Sequence, residues 1–238
     1  MLPELILREE HTDNYPLLFL LGLAASVAGF FAATTLFPRQ SAVLSVVFAS
    51  LPLVYPLTTK FLEDEDGDDQ SYVEEVSLYA ALFAGQVFGF TMLSMANPEV
   101  FALQAEVAGF SGNAVVSGLF TQVLFNNLIV FTGILAVSAI FGSAGSFILV
   151  WNASVMGKFF AELMMKFQGL KKSTPLLYFP HAAFEMTGFI IAGVSGSLIS
   201  AAVYREHFDR DTWRNLVILV LAGVGCIFVG ASLETGII

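Results

Sequence analysis

Charge is scarce in this chain, and positive charge scarcest. Lys and Arg number 10 against 20 Asp and Glu, for a net charge of -10, and charged residues are only 13% of the 238. A soluble domain carries about 25%. With so few cations there is no basic-aromatic surface, and nucleic acid is excluded as a partner. The single cysteine, Cys226, excludes an intrachain disulfide and reads as a packing residue. There is no H-E-x-x-H, no G-x-S-x-G and no phosphate-binding P-loop, so a conventional enzyme site lacks its usual parts. The basic n-region of a secretory signal is missing too. Glu4, Glu9, Glu10 and Asp13 stand there against Arg8, so the first apolar run reads as a retained span.

Apolar residues fill the gap. They make up 56% of the chain, and mean hydropathy is +0.77. Val107–Gly157 has no charge, and Leu216–Ile238 holds only Glu234. About 20 apolar residues cross the hydrocarbon core. A soluble helix would show a polar back, whereas these runs are apolar all round. The expectation is an all-α, polytopic integral membrane helix bundle with six or seven apolar segments, multi-pass in the cell membrane.

The segments are Pro16–Phe37, Ser41–Thr59, Val76–Asn97, Ala114–Phe141, Gly145 to about Leu163, Leu176–Tyr204 and Leu216–Ile238. Gly142-Ser143-Ala144-Gly145 divides the fourth from the fifth, because glycine is a poor helix former. The fifth carries Asn152, Lys158 and Glu162, and reads as a short tilted span or a re-entrant piece. Pro52 and Pro56 should kink the second and place it inside the bundle. Pro98–Asn113 reads as a short interfacial helix. Gly85, Gly89, Gly223, Gly225 and Gly230 are spaced for close helix packing. The whole of 1–238 reads as a single membrane domain, with N-terminal helices over 16–113 and a core over 114–238. An acidic loop over 60–75, including Glu63-Asp64-Glu65-Asp66 and continued by Glu74 and Glu75, reads as a solvated linker. Lys158, Lys166, Lys171 and Lys172 on one side of the sixth segment oppose Arg205, Arg210 and Arg214 on the other; six spans with an inside N-terminus put the lysines inside, seven leave the balance even, and the lean is to an inside N-terminus.

Polar residues inside a membrane are costly, so they mark the candidate site. They are Asn126, Asn127, Asn152, His181, Glu185 and Glu234. His181 and Glu185 are four apart and share a helix face; His181 follows Pro180, read as a helix start. The connection from Arg205 to Asn215 is short, so the last two segments should form an antiparallel hairpin. Glu185 precedes Arg205 by about 20 residues and Glu234 follows Asn215 by about 19, which puts both roughly 30 Å from that loop. Three readings stand for His181, Glu185 and Glu234: a structural polar knot, a proton or ion path, or a metal site. No cofactor is expected, and a divalent metal is the one these three residues could hold.

The same residues carry a family resemblance. Tyr178-Phe179-Pro180-His181-Ala182-Ala183-Phe184-Glu185, followed by Ile190-Ile191-Ala192-Gly193, resembles the Pro-His…Glu…Ala-Gly signature of the stage II sporulation protein M family. Asn126-Asn127 with Gly133, then Asn152 and Gly157, is similar to its Asn-Asn and Asn-Gly elements, and Ala231-Ser232-Leu233-Glu234 to its closing motif. The resemblance covers Gln122 to Glu234. Ala182 and Ala153 stand where the family has Gly, and Met186-Thr187 replaces Leu-Pro, which suggests a divergent, archaeal-type branch. The resemblance implies an integral membrane component without established catalysis, whose namesake works with wall-remodelling partners. The expected role is a non-enzymatic scaffold or assembly component; the alternative is a transporter or channel using the His/Glu/Asn site. Membrane lipid, other membrane or envelope proteins and a second copy of the chain are the candidate partners.

Overall fold

The computed structural model describes residues 14–64, 72–107, 120–166, 174–205 and 210–236. Seven helices account for most of them: α1 (Tyr15–Leu36), α2 (Ser41–Asp64), α3 (Tyr72–Ala96), α4 (Phe120–Phe141), α5 (Ser146–Lys166), α6 (Thr174–Arg205) and α7 (Arg210–Glu234). Each expected apolar segment is a helix, and no strand occurs among the described residues. Among the described residues, five stretches are long and apolar enough to cross a membrane: Tyr15–Leu36, Tyr72–Ala96, Phe120–Met165, Pro180–Tyr204 and Thr212–Glu234. The chain is a multi-pass, all-α membrane protein. The apolar part of α2 is shorter, Ser41–Val54. Proline does not end α2, which runs on as helix past Pro52 and Pro56.

The helices belong to two compact units. Unit 1 takes Met1–Lys60, Ser71–Gly109 and Ser146–Leu170, and so holds α1, α3, α5 and most of α2. Unit 2 takes Phe61–Gln70, Phe110–Gly145 and Lys171–Ile238, and so holds α4, α6 and α7.

In unit 1, α1 and α3 pack through glycines on both sides. A Cβ on Gly22 would strike the Leu82 carbonyl, and one on Gly85 would strike that of Phe19. Gly29 likewise admits α2, since a Cβ there would stand 2.6 Å from Ala49 N. Gly157 of α5 lies against Phe90 and Thr91 of α3. Lipid removes the hydrophobic driving force between helices, so close backbone approach must supply the cohesion. After α3 the chain turns through Asn97–Phe101 into a helical turn over 102–107, the described part of the expected interfacial helix. Phe101 is fully buried and stacks on Phe30 at 5.9 Å.

In unit 2, α6 is the central helix. It is buried on all sides over 188–198, with α4 packed through Gly196 and α7 through Gly188. The break after α4 falls where glycine placed it: Gly142–Gly145 is one 3-10 turn, and Gly142 has φ 64°. That left-handed conformation strains any residue with a Cβ.

Several sequence expectations change. Pro180 is not a helix start but lies inside α6, which begins at Thr174. Pro175, the next residue, takes the first-turn position for which proline is preorganised, and a membrane helix tolerates an internal proline. Glu75 is not a solvated linker residue. It sits in the first turn of α3 and is buried, at the end of a helix where acid is favoured. The remainder of the acidic run over 65–71 lies outside the described residues, as do Lys171 and Lys172. Lys158 lies within the fifth segment as expected and is buried in α5, its Nζ donating to Pro98 O at 3.3 Å and standing 3.5 Å from Glu162 Oε1.

Candidate functional site

Unit 2 brings three of the six candidate polar residues into direct contact. Asn127 lies in α4, Glu185 in α6 and Glu234 at the end of α7. Asn127 Nδ2 donates to Glu185 Oε1 at 2.6 Å. The Glu185 and Glu234 carboxyl groups lie against each other. The hairpin register therefore holds, with the two glutamates level on α6 and α7.

Local packing explains why they meet. Gly230 stands one turn before Glu234 on α7. A Cβ there would lie 2.5 Å from Glu185 Cγ and 3.1 Å from His181 O. Only a bare Cα lets α7 come this close to α6. Ser232, beside Glu234, bonds back to Phe228 O at 2.8 Å, so its hydroxyl is satisfied within its own helix. Phe228 in turn meets Phe120 of α4 edge-on, with ring centroids 5.4 Å apart. All three helices of the unit thus converge on the cluster.

Glu185 is buried, whereas Glu234 and Asn127 are half-buried. An ionised carboxylate is an acceptor only, so two carboxyl groups bond to each other only through a proton held by one of them. Asn127 supplies an N–H that either form of Glu185 can accept.

Asn126 and Asn152 lie away from this contact. Asn126, next to Asn127 but about 100° around the helix, is exposed. His181 is half-buried, one turn before Glu185 on α6. Asn152 belongs to α5 of unit 1, and its Nδ2 donates to Ile148 O of the same helix at 2.8 Å. Among the described residues no group of three His, Cys, Asp or Glu side chains is placed to hold a metal ion.

Among the buried polar side chains of unit 1 that sequence reasoning missed are two glutamines. Gln104 is fully buried, and its Nε2 donates to Ala42 O at 3.1 Å. Gln86 is also buried, on the α3 face that meets α1. Both stood in the sequence as polar residues in apolar surroundings, which was the signal available.

A family model described as Stage II sporulation protein M matches residues 17–237. The match takes in the front half, where no motif resemblance is visible. No curated protein and no solved structure matches the chain.

Proposed function

We propose, on the premise that this chain belongs to the stage II sporulation protein M family, that it is a non-enzymatic scaffold of the cell membrane. In this reading it holds other membrane or envelope proteins in place. The observation that supports it is where the intramembrane polar groups go. Asn127, Glu185 and Glu234 join α4, α6 and α7 to one another. A satisfied polar network of this kind specifies one arrangement of helices, which suits a part whose task is to present a fixed surface.

Transport is the second reading. Two carboxyl groups meeting within membrane spans, one of them half-buried, are suited to passing a proton or a cation. One experiment separates the two. The full chain is crosslinked in its native membrane and purified in mild detergent, and the purified chain is also sealed into vesicles with a pH-sensitive dye. Stoichiometric membrane or envelope partners with no proton or cation flux are the expected result. A flux abolished by Glu185→Gln, in a chain that captures no partner, overturns the scaffold reading.

A further inference from the structure

Unit 1 carries an open groove of about 760 Å³ between the α1–α2 loop and the segment after α3. Ligand sites span about 300–1,000 Å³, so it can seat a small molecule or the head of a larger one. Arg39 and Glu99 line it together with the apolar Val43, Val100 and Leu103. We propose that this groove binds one phospholipid of the surrounding bilayer, with its phosphate on Arg39 and a headgroup ammonium on Glu99.

Three observations carry this. The first is level. The α1 span ends at Leu36 and the α3 span at Ala96, so Pro38–Leu44 and Glu99–Leu103 lie where two apolar spans give out. That is the boundary of the hydrocarbon core, where phospholipid phosphates are concentrated. The second is charge. Arg39 and Glu99 are both exposed, and the two side chains form no ion pair with each other or with another described residue. A guanidinium binds phosphate with paired N–H donors. A carboxylate beside it would repel a purely anionic headgroup, but accepts from a primary ammonium. The third is the wall. Val43 and Leu103 are exposed large apolar residues of the lining. A free phosphate or a soluble zwitterion would leave them bare, whereas an acyl chain covers them.

The groove is also held open in advance. Gln104 Nε2 bonds Ala42 O and so ties the 102–107 turn to the first turn of α2. The headgroup therefore meets two walls already fixed, which lowers the ordering needed on binding.

The test uses the full chain in mild detergent, equilibrated with mixed vesicles of phosphatidylethanolamine and phosphatidylglycerol. Native mass spectrometry then counts the lipid retained per chain. Wild type should keep one phosphatidylethanolamine, preferred about fivefold over phosphatidylglycerol. Arg39→Gln should cut retention of both about tenfold. Glu99→Gln should keep total retention and turn the preference toward phosphatidylglycerol. Both positions are exposed, so the variants should keep the wild-type melting temperature. A photoreactive phosphatidylethanolamine should label peptides containing Val43 or Leu103 in the unaltered chain. Equal retention in wild type and Arg39→Gln, labelling spread evenly over the apolar spans, or displacement of the lipid by inorganic phosphate alone overturns the proposal.

Discussion

Asn127 Nδ2 and Glu185 Oε1, 58 positions apart in the chain, are 2.6 Å apart in the structure. This bond joins α4 to α6 at the point where α7 also arrives. Losing the amide leaves a buried carboxyl oxygen without its donor, at a cost of about 1–3 kcal/mol. Asn127→Ala should lower the melting temperature in detergent accordingly. Asn127→Asp should be worse, because a carboxyl group then faces the Glu185–Glu234 pair. Asn126→Ala, at an exposed position, should leave the melting curve unchanged; an equal loss at both positions would disprove the assignment.

Gly230 and Gly225 provide a matched pair. Alanine at 230 brings a Cβ against Glu185 Cγ, whereas at 225 it meets nothing within 4 Å. Overpacking costs about 1–3 kcal/mol. Gly230→Ala should therefore destabilise the chain and weaken crosslinking between cysteines placed on α6 and α7. Gly225→Ala should do neither. If both behave alike, the close approach of α7 to Glu185 is wrong.

The Glu185 and Glu234 carboxyl groups, this close among apolar neighbours, can bond to each other only if one carries a proton. Infrared difference spectra at neutral pH should show a protonated carboxyl band that disappears in Glu185→Gln. Glu234→Gln should fold, because the amide can still donate to Glu185, whereas Glu234→Lys should not accumulate in the membrane. A spectrum without the band would point to a bound cation between the two groups.

Lys158 and Glu162 differ in exposure, at 6% and 36% for the side chains. Removing the partner of a buried charge costs about 3–5 kcal/mol because that charge is left uncompensated, whereas removing the buried charge itself leaves unpaired only Glu162, which reaches solvent. Glu162→Ala should therefore destabilise more than Lys158→Met, by about 2 kcal/mol or more. Thermal unfolding of the two variants checks the order, and the reverse order would show that Lys158 is solvated.

Most of the helix plan was legible because it rests on fixed quantities. Charge-free runs mark spans, and the constant rise of a helix let the positions of Glu185 and Glu234 be levelled from their distance to one loop. Side-chain direction was not legible. Asn126 and Asn127 lie in surroundings apolar on every side, so nothing local says which faces packing and which faces away. Gly225 and Gly230 look alike for the same reason: only α6 distinguishes them. The partner of Lys158 was not legible either, because the Pro98 carbonyl that receives it is 60 positions away. Pro180 misled because proline marks helix starts in water, while an internal one is tolerated in a membrane helix.

The interleaving of the two units has a consequence for how the chain is made. Synthesis delivers α4 before α5, yet α5 completes unit 1 while α4 waits for α6 and α7. Asn127 must therefore be made before its partner Glu185 exists, and wait while a helix of the other unit is synthesised. No single cut releases either unit whole. Residues 1–145 lack the Gly157 that α5 sets against Phe90, and residues 146–238 lack Asn127. Two such fragments, made separately, can restore both contacts only by reassembling with each other in the same bilayer.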